Sequence, residues 1–73
     1  MNSDNPILVS FGKKVRQKRQ RLNLSQSELA EVAGLHRTYI GMIERAEKNI
    51  TLLNIHKISI ALNTTAEELL NEC

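Results

Sequence analysis

Tryptophan is absent from this chain, and phenylalanine and tyrosine occur once each, as Phe11 and Tyr39. Strand-like alternation of apolar and polar residues is also missing, so sheet is not expected. Cysteine occurs once, at Cys73. One thiol cannot close an internal disulfide, and with the two distant histidines, His36 and His56, it cannot complete a metal site. It fits a reducing, cytosolic setting as a free end. No apolar run approaches the ~20 residues of a membrane span. Residues 1–5 are polar and lack the basic start of a secretory leader. The expectation is a soluble, cytoplasmic protein without a membrane partner. There is no Ser/His/Asp set, no pair of acids in a cleft and no phosphate-cradling loop. An enzyme is therefore not expected, nor any cofactor or metal.

What is present is short and helical. Seventy-three residues make one domain, near the lower size at which a chain buries enough apolar surface to fold alone. We expect residues 1–73 to form it, with 1–5 as a flexible tail. The net charge of +2 is mild but unevenly placed. Residues 1–37 carry seven Lys/Arg against three Asp/Glu, and the remainder three against five. Six of those first cations lie between Lys13 and Arg21, the footprint of a phosphate-binding surface or of a solvated basic helix face.

Leu8, Phe11, Val15 and Leu22 recur at intervals of three, four and seven, the period of one buried helix face. Asn5 as N-cap and Pro6 at the first position start that helix, and Asn23 ends it. Ser25 with Glu28 forms a capping box for a second helix, packed through Leu29, Ala30 and Ala33 and closed by Gly34. A third runs over about residues 36–45, with Ile40 and Ile43 inward. After a polar bend, Thr51 caps a fourth bearing Leu52, Ile55, Ile58 and Leu62. Thr65 with Glu68 forms another capping box and opens a short fifth through Leu69 and Leu70. The predicted fold is all-α, a bundle of five helices, without repeats or linkers.

Residues 25–45 are the informative unit: two short helices joined by a turn containing Gly34, with a small Ala33 ahead of it. This is the geometry of a helix-turn-helix, whose second helix enters the DNA major groove. Ser25-Gln26-Ser27-Glu28-Leu29-Ala30, Ala33-Gly34-Leu35 and Tyr39-Ile40-x-x-Ile43-Glu44-Arg45 resemble the phage-repressor-type helix-turn-helix family over residues 11–70. Leu35-x-Arg37-Thr38-Tyr39-Ile40, Ile43-Glu44-Arg45 and Asn49-Ile50-Thr51-Leu52 are further similar to the controller proteins of restriction-modification systems. The resemblance implies a repressor-like bundle that binds double-stranded operator DNA and regulates transcription, contacting RNA polymerase if it activates.

The resemblance also implies roles for single residues. Gln26 would hold a phosphate at the exposed start of the second helix. Arg37 and Thr38 would read bases, although an arginine here also suits a neighbouring phosphate. Tyr39 would contact the backbone, or serve as a core aromatic if the helix is rotated. Lys48 and Asn49 would meet phosphates, joined by Arg45 unless it points to solvent. Glu44 would pair with Arg19 structurally rather than act in catalysis. Lys13, Lys14, Lys18 and Arg21 would add long-range attraction. His36 stands where controllers often carry an acidic residue as a helix cap. Three positions depart from the pattern: Gly41 replaces a small hydroxyl residue, Ala46 a frequent glycine, and Glu47 sets an acid near the backbone contacts.

One module makes few DNA contacts, so a two-fold homodimer reading a near-palindrome is expected. Leu53, Ile60, Leu69 and Leu70 are the interface candidates, or else they cover the core. A phage-type repressor, an antitoxin autoregulator, and a protein-interaction module that has lost DNA binding are the competing readings.

Overall fold

A computed structural model describes residues 5–71; Cys73 and the first four residues of the expected tail lie outside them. The described residues form five helices: α1 (Pro6–Arg21), α2 (Gln26–Ala33), α3 (Arg37–Glu44), α4 (Leu52–Ala61) and α5 (Ala66–Leu70). Each begins at the residue whose side chain can satisfy a first-turn amide. Asn5 accepts from the Ile7 amide, so it caps α1 rather than trailing as tail. Ser25 and Glu28 exchange both bonds of a capping box, at 3.0 and 2.8 Å. Thr51 accepts from Asn54 at 3.1 Å. Thr65 accepts from Glu68 at 3.1 Å, but the Glu68 carboxylate turns to Lys18 Nζ at 3.3 Å. The expected second capping box is therefore only half made.

The helix ends repeat one device. After α1, α2, α3 and α4 a single residue turns left-handed: Asn23 (φ 59), Gly34 (φ 72), Ala46 (φ 58) and Asn63 (φ 57). The next amide then reaches back to a carbonyl five residues earlier: Leu24 to Arg19, Leu35 to Ala30, Glu47 to Met42 and Thr64 to Ser59. These are Schellman closures, which satisfy orphan carbonyls. Glycine and asparagine tolerate that conformation, whereas alanine there costs roughly 1–2 kcal/mol. The bend after α3 thus keeps its form without glycine, at the expense of strain in Ala46, whose residue is buried.

The core is Phe11 and Val15 of α1, Leu29, Ala30 and Ala33 of α2, Ile40 and Ile43 of α3, Ile55, Ile58 and Leu62 of the α4 region, and Leu69 of α5. α1 packs on α3 and α5, α2 on α3 and α4, and α4 on α5. The crossing of α1 over the end of α3 is close. A Cβ built on Gly12 would lie 2.5 Å from the Ile43 carbonyl oxygen and 3.0 Å from that of Glu44.

Three apolar expectations need correction. Leu22 is 44% exposed, because α1 ends one residue before it and it leaves the inward stripe. Leu52 is 80% exposed, standing at the first position of α4. Leu69 is 0% exposed and belongs to the core; it is not available to an interface, whereas Leu53, Ile60 and Leu70 are exposed.

Candidate nucleic-acid interface

The joint that sets α3 against the bundle is ionic. Glu44 ends α3, where a negative charge opposes the helix dipole. Its carboxylate accepts from Arg19 Nε at 2.6 Å, from Arg19 Nη2 at 3.0 Å and from Gln26 Nε2 at 3.1 Å. Arg19 Nη1 also donates to the Leu24 carbonyl at 2.9 Å. One guanidinium therefore ties α1, the α1–α2 connection and α3 together. The two side chains are 12% and 4% exposed. The hydrogen bonds that Arg19 donates to Glu44 raise its pKa above the ordinary arginine value, against desolvation and helped by the carboxylate's charge. Glu44 is consumed in this joint, which suits a structural role.

On the outer side, α3 starts at His36, whose Nδ1 accepts from the Thr38 amide at 3.2 Å. The ring nitrogen does here what an acidic cap would do. Arg37 and Thr38 occupy the first turn and are exposed. With Gln26, Gly41 and Arg45 they line one shallow concave surface open to solvent. The structure thus brings the candidate base readers Arg37 and Thr38 beside Gln26 at the start of α2. Gln26 spends one amide hydrogen on Glu44, and an amide has two.

Tyr39 differs in part from its expected role. Its ring is half-buried against the core, and its hydroxyl accepts from Asn54 Nδ2 at 3.0 Å. The phenol is thereby anchored to α4 through one lone pair, with its O–H still able to donate. Lys48 and Asn49 are exposed in the bend after Ala46. Arg45 Nε lies 3.1 Å from Glu47 Oε2. Lys14 and Lys18 turn to α5 instead of outward, meeting the Glu68 carbonyl and carboxylate, each at 3.3 Å. Among the described residues no group of three or more His, Cys, Asp and Glu could hold a metal ion, and no helix is long and apolar enough to cross a membrane.

Sequence reasoning missed Asn54, the Lys14–Lys18–Glu68 contacts and the clearance at Gly12. Only Gly12 carries a signal in the sequence, a glycine in mid-helix where its propensity is poor.

Two short helices crossing at Gly34, the second with its polar first turn outward, define a helix-turn-helix DNA-binding regulator. The chain belongs to the helix-turn-helix family, whose model matches residues 15–69. It is similar to the control protein C.SmaI of Serratia marcescens, at 54% identity over 77% of this chain and 67% of that protein. It is also similar to the control protein C.BamHI of Bacillus amyloliquefaciens, at 50% identity over 92% of this chain and 84% of that protein. Among solved structures, the restriction-modification controller protein C.AhdI from Aeromonas hydrophila superposes with a TM-score of 0.83. It is 44% identical, over 85% of this chain and 94% of that one.

Proposed function

We propose that this chain is a restriction-modification controller that binds near-palindromic operator DNA as a homodimer in the cytoplasm. Residues 1–73 act as a single DNA-binding domain, with no enzymatic activity. The observation that carries the reading is the exposed first turn of α3, with Arg37 and Thr38 beside Gln26 on one concave surface. The helix N-terminus is the part that approaches base edges in this fold class. Arg37 grips a guanine with two parallel hydrogen bonds, and Thr38 offers its methyl to a thymine. Gln26, the Tyr39 hydroxyl, Lys48 and Asn49 contact phosphates and set the register. The Arg19–Glu44 pair keeps the acid of α3 away from the phosphates.

Dimerisation uses the outer face of α4. Leu53, His56 and Ile60 follow one another at helical spacing, and Leu52, Leu53, His56 and Ala66 line an apolar groove. Leu53 and Ile60 are both 63% exposed, and Leu70 is 40% exposed. The body measures 28 × 24 × 22 Å, so two copies related by a two-fold axis suit recognition helices one DNA turn, about 34 Å, apart. If the complex activates a promoter, RNA polymerase is its further partner.

The test is electrophoretic retardation of duplex DNA across a salt series. The reading expects retardation that weakens steeply with salt, as phosphate contacts require. No retardation of any operator-like duplex at low salt would overturn it in favour of a protein-interaction module.

A further inference from the structure

Gly41, Ala46 and Glu47 meet at one place on the structure, around the Arg45 side chain. Residues 37, 41 and 45 follow at intervals of four and share a face of α3. A Cβ built on Gly41 would lie 3.0 Å from Arg45 Nη1 and 3.6 Å from Gln26 Oε1. The Arg45 guanidinium therefore folds back along the helix into space that a side chain at 41 would take. Its Nε is anchored on Glu47 Oε2 at 3.1 Å. Glu47 is there because Ala46, at φ 58, turns the chain back and lets the Glu47 amide reach the Met42 carbonyl at 2.8 Å. The left-handed turn at Ala46 thus sets the acid alongside Arg45.

We infer that Glu47 is a positioning residue that clamps Arg45 across the gap left by Gly41, so that the Arg45 guanidinium reads a base edge beside Arg37 instead of gripping a phosphate. This rests on the proposal that α3 enters the major groove. Two features favour a base over the backbone. The guanidinium shares its concave surface with Arg37 and Thr38, the exposed first turn of α3. The Arg45–Glu47 pair is also neutral as a unit. It adds little to the general attraction between protein and phosphates, which is the sequence-independent part of binding. A planar fork fixed at its Nε has a defined orientation, and orientation is what bidentate recognition of a base requires. An acid beside DNA is otherwise unfavourable; as a clamp it has a use.

The test starts from duplexes that the wild-type protein enriches from a pool with a randomised core. Affinity for an enriched duplex is then compared with that for a scrambled duplex of equal length and composition. Wild type, Glu47→Gln, Arg45→Ala and the double variant are measured, each with its thermal midpoint. Glu47→Gln is expected to bind the scrambled duplex more tightly, having lost an anion. Its preference for the enriched duplex should fall about fivefold, the order set by releasing one immobilised rotamer-rich side chain. In the Arg45→Ala background the same change should leave preference unaltered. An equal change for both duplexes, or the same loss of preference without Arg45, would overturn the clamp while leaving the regulator proposal standing. A wild-type protein that enriches no duplex overturns the regulator proposal and the clamp with it.

Discussion

Replacing Glu44 by alanine tests the joint on which the orientation of α3 depends. The substitution removes the acceptor of three hydrogen bonds, two from Arg19 and one from Gln26. It leaves a guanidinium that is only 12% exposed. Breaking a buried pair from one side costs about 3–5 kcal/mol. The lower end applies, because Arg19 keeps the Leu24 carbonyl and some access to water. A domain of this size has a total stability of roughly 4–11 kcal/mol, from 0.05–0.15 kcal/mol per residue. A loss of about 3 kcal/mol should lower the thermal midpoint by about 12–24 °C, at 4–8 °C per kcal/mol. Circular dichroism during heating and urea titration both read this. The pair's net contribution is a separate quantity. Arg19→Met with Glu44→Leu, which removes both charges, should be much less destabilised than either partner removed singly. A fall of less than about 1 kcal/mol for Glu44→Ala, given a loss of about 3 expected for a buried pair, would refute the joint. So would a double variant as unstable as the sum of the singles.

Further outcomes follow from the same geometry. Gly12→Ala should destabilise by about 1–3 kcal/mol, the cost of overpacking, because the atoms it meets are the Ile43 and Glu44 carbonyl oxygens. Unchanged urea unfolding would contradict that close approach. Glu47 is held below the usual glutamate range, first by its hydrogen bond to Arg45 and then by that arginine's charge, against desolvation. The pairing is therefore present above the ordinary carboxylate pKa and lost as pH falls through the depressed one. A carbon-13 titration of the Glu47 side chain should move back up towards the ordinary value in Arg45→Ala. On the proposal that α4 forms a two-fold interface, Leu53→Glu should yield monomer in sedimentation where wild type yields dimer, with each copy still folded, since Leu53 is 63% exposed.

Local chemistry made much of the fold legible. Ser25 and Glu28 locate the start of α2, Thr51 that of α4, and Gly34 the corner between α2 and α3, because caps and left-handed turns depend on residues adjacent in the chain. The inward positions Phe11, Val15, Ile40, Ile43, Ile55 and Ile58 follow from helical period alone. Leu22, Leu52 and Leu69 do not. Each lies at or near a helix end, where period no longer decides whether a side chain faces the bundle or solvent. Leu69 is buried because α1 and α4 converge on α5, a fact of packing rather than pattern. At the site, the Arg19–Glu44 pair was foreseen through family resemblance. The back-folded Arg45 was not, because it depends on the space above Gly41 and on the turn at Ala46. Tyr39 is a mixed case: its spacing allows both an inner and an outer orientation, and Asn54 from α4 fixes it.

The central claim is that the first turn of α3 reads DNA bases, and Arg37→Ala tests it most directly. Wild type and variant would each be used to select duplexes from the same randomised pool, with affinities then measured for every single-base change in the preferred site. The account expects a loss of about 1–3 kcal/mol and relaxed preference at one position in each half-site. If Arg37→Ala weakened binding to every sequence by the same factor, Arg37 would be a phosphate contact, and the base-reading role of this turn would be wrong.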